Sequence, residues 1–322
     1  MRINTRLVAI AALVCALAGT AHAQTFPIKP VRLVVPNAPG GAIDILARMF
    51  AQHLSPLWGG QSVLVEYKPG ANTIVGTEFV AKSAPDGHTI GLVVTSHVIN
   101  PSLRANLPYD TLKDLSGVTM TAISHILISA SPAFEANTLA EVIALAKKQP
   151  GKLTYASPGA GSAMHLTGEL LKTMTGVDML HVPFKGSGPA YPEVMAGRIP
   201  LLIDPLFSSL SYIKSGKLKP IAVTSAKREA MAPDIATVAE TLPGFSVQSI
   251  NGIVVPAATP KEIVRRLNAD FVKVLQLPEM RSRMAEFGLT PVGNSPEEFD
   301  GIVRAEMARW AKVVKESGAK AD

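Results

Sequence analysis

The sequence predicts an α/β protein built as two lobes with a cleft between them. Three observations point there. Short apolar runs alternate with segments whose apolar residues recur every three or four positions, the pattern of buried strands followed by amphipathic helices. The alternation reads β-α-β-α-β over 31–94, which implies a parallel sheet covered on both faces. It restarts near residue 126 with no Pro/Gly/Ser-rich tether between the two blocks. The chain is therefore expected to cross between lobes within ordered strands, near 115–130 and 235–255. Ligands usually bind in a cleft of that kind.

"VRLVV" (31–35) reads as the first strand. Ile43, Leu46, Phe50, Leu54 and Leu57 then mark a helix. "SVLVEY" (62–67) is a second strand, "TIVGTEFVAKSA" a second helix and "TIGLVV" (89–94) a third strand. "PDG" (85–87) between them is a turn, because proline presets φ and glycine accepts a positive one. In the second block "ILISA" is a strand, and Thr138 and Glu141 are spaced as a capping box for helix 139–149. "KLTYAS" (152–157), "VDMLHVPF", "IPLLID" and "LKPIAVTS" are strands. Helices are expected at "AMHLTGELLKTMTG", 187–196 and 206–214. Thr259-Pro260 and Ser295-Pro296 each combine an N-cap with a proline at the first helical position, opening the last two helices.

The N-terminus concerns place. Arg2 and Arg6 precede the apolar run "LVAIAALVCALAG" and then "AHA" at 21–23. That order is a secretory signal peptide, with cleavage expected after Ala23 and a periplasmic product. The expected organisation is 1–23 signal peptide, 24–124 plus 250–322 first domain, and 125–249 second domain. The one cysteine, Cys15, leaves with the peptide, which excludes disulfides and thiolate metal sites. No H-E-x-x-H or other metal spacing is present, so neither a metal nor a cofactor is expected. The formal charge of +6 is spread along the chain, and basic runs stop at two residues. This excludes a nucleic-acid footprint. No later apolar stretch is long enough to cross a membrane.

Four glycine- or serine-rich loops follow strands: "NAPGGAID" (37–44), "TSHVINPS" (95–102), "SPGAGSAMH" (157–165) and "FKGSGPA" (184–190). Strand C-termini in open parallel sheets are where ligands collect. Three of the loops lead straight into helices, whose first N–H groups and dipole favour anions. The expectation is an anion site made from backbone N–H groups rather than Arg or Lys. "GAGSAM" lacks the third glycine of a dinucleotide fingerprint. Ser162 and His165 lie one helical turn apart, the spacing an exported hydrolase could use. No G-x-S-x-G elbow surrounds them, and a helix cap or ligand donor is the favoured role for Ser162. Asp204 precedes Pro205, the spacing of a helix N-cap, with a cleft carboxylate as the alternative. Asp44 is expected to satisfy backbone donors at its helix start.

"FPIKPVRLVVPNAPGGAIDILAR", "VEYKPGAN", "VAKSAPDGHTI", "INPSL", "LTYASPGAGSAMHLTGELL", "HVPFKGSGPA", "SGKLKPIAVTSAKR" and "PAATPKEIVRRLN" together resemble the Bug-type periplasmic receptors, the solute-binding proteins of tripartite tricarboxylate transporters. The resemblance follows the chain in order from residue 24 onward. It implies a type II-like two-domain periplasmic binding-protein fold that closes on a small carboxylate, is not an enzyme, and serves one large and one small membrane subunit. A monomer is expected, and a periplasmic sensory role is the alternative to transport. By matching motif, the ligand would meet Gly40, Gly41 and Ala42. It would also meet Ser96 and His97, then Ser157, Gly159, Gly161 and Ser162, then Lys185 and Gly186, and finally Asp204. Pro205 stands where the family often has Asn, and "SINGIVVPA" lacks the family's usual aromatic.

Overall fold

The structure, a computed structural model, describes residues 26–40 and 42–320. The expected signal peptide, its expected cleavage site and Gly41 lie outside the described residues. Strands β1 (Val31–Val35), β2 (Val63–Tyr67) and β3 (Thr89–Val94) alternate with helices α1 (Ala42–Leu57) and α2 (Ile74–Ala81). β1 lies between β2 and β3 and runs parallel to both. Then come α3 (Ser96–Leu103), β4 (Leu115–Ala130) and α4 (Leu139–Lys148). The unit repeats with β5 (Leu153–Ser157), α5 (Ala163–Thr175), β6 (Met179–Pro183), α6 (Ala190–Met195), β7 (Leu201–Pro205), α7 (Leu206–Lys214) and β8 (Lys219–Val223). β5 runs parallel to β6 and β7. The chain ends with α8 (Val238–Thr241), β9 (Gln248–Pro256), α9 (Lys261–Leu275), α10 (Pro278–Glu286), β10 (Thr290–Pro291) and α11 (Pro296–Ser317).

The sheet order is β2-β1-β3-β9-β4-β7-β5-β6, with β8 and β10 also paired to β4. Outer strands are parallel, as βαβ units require. The strands around the crossing are antiparallel. Residues 115–125 of β4 pair with β9, whereas 126–130 pair with β7 and β8. The ordered crossing expected near 115–130 is thus one long strand that extends well beyond the apolar run "ILISA". Thr119, Thr121 and Ser124 interrupt the apolar run there, yet all are buried.

Two expectations needed tertiary correction. "SHVINPSL" is a helix rather than a loop. It packs on α11, and this burial of Val98 and Ile99 outweighs the breaker signal of Pro101. Thr259 does not cap α9: Pro260 keeps an extended ψ of 136°, so the helix starts at Lys261 and the Thr259 hydroxyl has no partner. By contrast Thr138 and Ser295 form the expected capping boxes, with Pro296 at the first helical position.

Two large apolar clusters hold the sheet and its helices. Phe50 of α1 meets Phe271 of α9 edge to face at 4.8 Å; each such ring contributes about 1.5–3 kcal/mol by burial. α11 packs against α3 on one side and α5 on the other, so it braces both halves of the sheet. Gly168 lets α5 lie flat on β5, since a Cβ there would fall 2.4 Å from the Tyr155 ring.

Candidate functional site

A cleft of about 520 Å³ opens where β4 changes partners, within the size range of small-ligand sites. Its lining draws on both halves of the sheet: the 37–43 and 72–73 segments, the ends of β3 and β9, the 158–164 loop, Gly186–Ser187 and the start of α7. Among the described residues that line it, none is charged. Ile43, Val94, Met164, Phe207, Ile250 and Leu289 make much of the wall apolar.

The first glycine loop is already occupied. Gly40, at φ +98°, turns its N–H onto the Asp44 carboxylate at 2.8 Å. Tyr67 and Arg48 donate to the same carboxylate. Burial alone would raise the Asp44 pKa, but these three donors outweigh it and hold the carboxyl below its usual range. A side-chain anion thus sits at the start of α1, as its first-turn position suggests.

The second loop, 157–165, carries no acidic residue. Ser162 caps α5 by accepting from the His165 N–H at 3.2 Å, and its own hydroxyl donates to the Gly159 carbonyl at 2.7 Å. Gly161 N–H donates to His165 Nδ1 at 3.0 Å. That ring nitrogen therefore faces the loop backbone and not the serine, so Ser162 and His165 do not form a nucleophile–base pair. Gly159 N–H lies 3.3 Å from Ser157 Oγ, and Gly186 N–H bonds the Pro158 carbonyl at 2.8 Å. The glycines expected to offer donors direct them inward; they shape the loop instead. The donors the α5 turn leaves uncapped belong to Ala163 and Met164, its first two residues, and both line the cleft.

Behind this loop, Ser157 bonds His181 Nε2 at 2.6 Å. His181 stacks on His165 with ring centroids 3.8 Å apart. Burial first, then the neighbouring His165 and Lys172, press the His181 pKa down to about 3. Tyr155 donates to Glu169 at 2.7 Å and completes the support. Among the described residues, no group of His, Cys, Asp or Glu could hold a metal ion.

The sequence reading missed Asn72 and Thr73. Ala71, Asn72 and Thr73 all have positive φ, at 46°, 52° and 76°. Such a run of non-glycine residues is strained and needs support from its surroundings. Asn72 supplies it. Its amide donates to Asn100 at 2.9 Å and to the Gly161 carbonyl at 3.2 Å, while Ser96 donates to its Oδ1 at 2.9 Å. The bond to Gly161 links the 70–73 loop directly to the α5 loop. Thr73 lines the cleft with a buried hydroxyl that has no partner. "KPGAN" ended in a residue able to adopt a left-handed turn, and this was the available signal.

Asp204 departs from both roles read from its sequence. It is fully buried at the end of β7, and α7 begins after Pro205 without a side-chain cap. Ser187 donates to Oδ1 at 2.5 Å, Tyr191 to Oδ2 at 2.5 Å and Ser209 to Oδ2 at 3.3 Å. Burial pushes its pKa up to about 6 against these three donors.

Of the expected ligand residues, Ser96, Gly159, Ser162 and Gly186 line the cleft. Gly40, Ser157, Gly161, Lys185 and Asp204 do not; Lys185 is exposed, and the others hold the loops. His97 faces a separate small cavity beside Thr111 and Asp300, where burial lowers its pKa to about 4. It is turned there because Ser96 and His97 are adjacent on α3 and cannot share a face. Ala42 opens α1, and Gly41 is not described.

Comparison with known proteins fits this arrangement. The model of the tripartite tricarboxylate transporter family receptor matches residues 46–319. The chain belongs to that family. BugT of Bordetella pertussis is 34% identical over 322 residues, covering 98% of each chain. The R. palustris protein Rpa4515, solved with adipate, is 35% identical with a TM-score of 0.83, over 92% of this chain and 100% of that one. MatC from Rhodopseudomonas palustris, with bound malate, is 30% identical with a TM-score of 0.77, over 90% of this chain and 100% of that one. The fold is thus that of periplasmic binding proteins, and the family is one of periplasmic receptors rather than enzymes.

Proposed function

We propose that this receptor binds a small carboxylate between two domains, 24–124 plus 250–322 and 125–249, and closes on it. The observation that carries the reading is the start of α5. Its first two residues, Ala163 and Met164, line an uncharged cleft, and among the described residues no carboxylate caps the helix start. A helix N-terminus with unpaired donors holds an anion without any cation. Ser96, Gly159, Ser162, Gly186 and Thr73 would surround the ligand, with ordered water bridging where a direct contact is too long. Gly40, Ser157, Gly161 and Asp204 would position these groups from behind. The adipate and malate bound by the two relatives support a carboxylate as the ligand class.

The ligand would favour the closed state by touching both domains, in proportion to its differential affinity. Cleavage after Ala23 would release the receptor into the periplasm as a monomer. It would then deliver its ligand to a transporter of one large and one small membrane subunit. Thermal-shift screening of mono-, di- and tricarboxylates against neutral solutes tests the reading. A saturating ligand stabilises the native state by RT ln(1 + [L]/Kd) and so raises the midpoint. Stabilisation by neutral solutes alone would end it.

A further inference from the structure

The hydrogen-bonding polarity of the cleft narrows the ligand further. An ionised carboxylate can only accept hydrogen bonds. Asp204 is ionised above its raised pKa, so the Ser187 proton points at it, 2.5 Å away. Ser187 also lines the cleft, and what remains on its oxygen is lone pairs. Ser96 is in the same position. The Asn72 amide faces the Gly161 carbonyl with its nitrogen, so its oxygen faces Ser96, and Ser96 must donate. The bare serine acceptor therefore has a buried negative charge directly behind it, with no cation among the described lining residues.

We infer that the ligand is a monocarboxylate whose far end is an uncharged hydrogen-bond donor, a hydroxyl or primary amide, held by Ser187 in front of Asp204. This rests on the carboxylate reading above. The seat at α5 takes the one anion, the apolar wall of Ile43, Phe207, Ile250 and Leu289 takes a short hydrocarbon spacer, and Ser187 accepts from the tail. A second carboxylate would meet lone pairs and the Asp204 charge, both repulsive at short range in a cleft that screens poorly. An ammonium would meet the right sign but would lose its water for a single acceptor whose charge is already bonded three times.

Isothermal titration calorimetry of the purified protein with four matched acids tests this: 5-hydroxypentanoate, pentanoate, glutarate and 5-aminopentanoate. The hydroxy acid should bind roughly tenfold tighter than pentanoate, the effect of one added hydrogen bond to a buried acceptor, and tighter still than glutarate. Ser187→Ala should abolish the preference for the hydroxy acid over pentanoate. Asp204→Asn should free the Ser187 proton to turn outward, so that glutarate gains on the hydroxy acid. If Asp204→Asn does not fold, Ser187→Ala alone decides. Glutarate or 5-aminopentanoate binding as tightly as the hydroxy acid would overturn the assignment and leave the carboxylate reading standing. If none of the four binds, the carboxylate reading falls and this inference with it.

Discussion

Two loops that look alike in sequence do opposite things. "NAPGGAID" and "SPGAGSAMH" both follow a strand, both are rich in glycine and both open a helix. In the first, Asp44 lies in the opening turn of its own helix and captures the Gly40 N–H, Tyr67 and Arg48. In the second, the position three after the cap is His165 rather than an acid, and the turn's first two residues line the cleft. A helix start is an anion site only when the chain does not fill it. One acidic residue therefore separates a helix start filled by its own side chain from one that is not.

The sharpest way to break this comparison is Ala163→Pro. Proline is tolerated at the first helical position, and Ser162 has the extended conformation that a following proline requires, with φ −73° and ψ 160°. The substitution deletes one N–H and should leave the helix intact. Affinity for the bound carboxylate should fall by about 1.5–3 kcal/mol by calorimetry, the range for a charge-assisted bond. Unchanged affinity would move the anion away from α5.

The pH dependence of stability comes next. The Asp204 pKa is raised in the folded state to about 6 from 3.8. A raised folded pKa means the native state holds the proton longer. Its stabilising contribution is complete below pH 4 and is lost as pH rises through 6, by on the order of 3 kcal/mol. Asp204→Asn should flatten this part of the curve in denaturant titrations from pH 4 to 7. An unaltered slope would assign it to other groups.

On the other side, Asp44→Ala should lower stability by about 1–2 kcal/mol, because Gly40, Tyr67 and Arg48 lose their shared acceptor. Ligand affinity should change far less than in Ala163→Pro. The smallest effect is expected at the strained turn between the loops. Thr73→Gly should raise the unfolding free energy by about 0.5–1 kcal/mol, since a β-branched residue at φ 76° is relieved. A loss of stability would show that Thr73 is held there by favourable packing.

Much of the fold was legible in the sequence because its signals are local. The β-α-β order, the Thr138 and Ser295 caps and the Ser162 cap each follow from residues a few positions apart. Where two elements had to meet, the sequence fell silent. An ordered crossing near 115–130 could be read, but not the partner strand: 115–125 of β4 pairs with β9, more than 120 residues further along. The serines and glycines of the candidate site were readable as loop chemistry. Their donor directions were not, because a hydroxyl or an N–H takes its direction from a partner that can be far along the chain. Asn72 is such a partner: it fixes Ser96 from 24 residues away and reaches Gly161 from 89.

By itself, then, the sequence determined an α/β protein with two βαβ blocks and glycine loops at strand ends, since periodicity and capping act within a few residues. The tertiary structure decided which loop still offers N–H groups, that Asp204 lies behind Ser187 rather than in the cleft, and that His97 faces elsewhere. Those outcomes depend on which buried polar group finds which partner, and only packing brings the partners together.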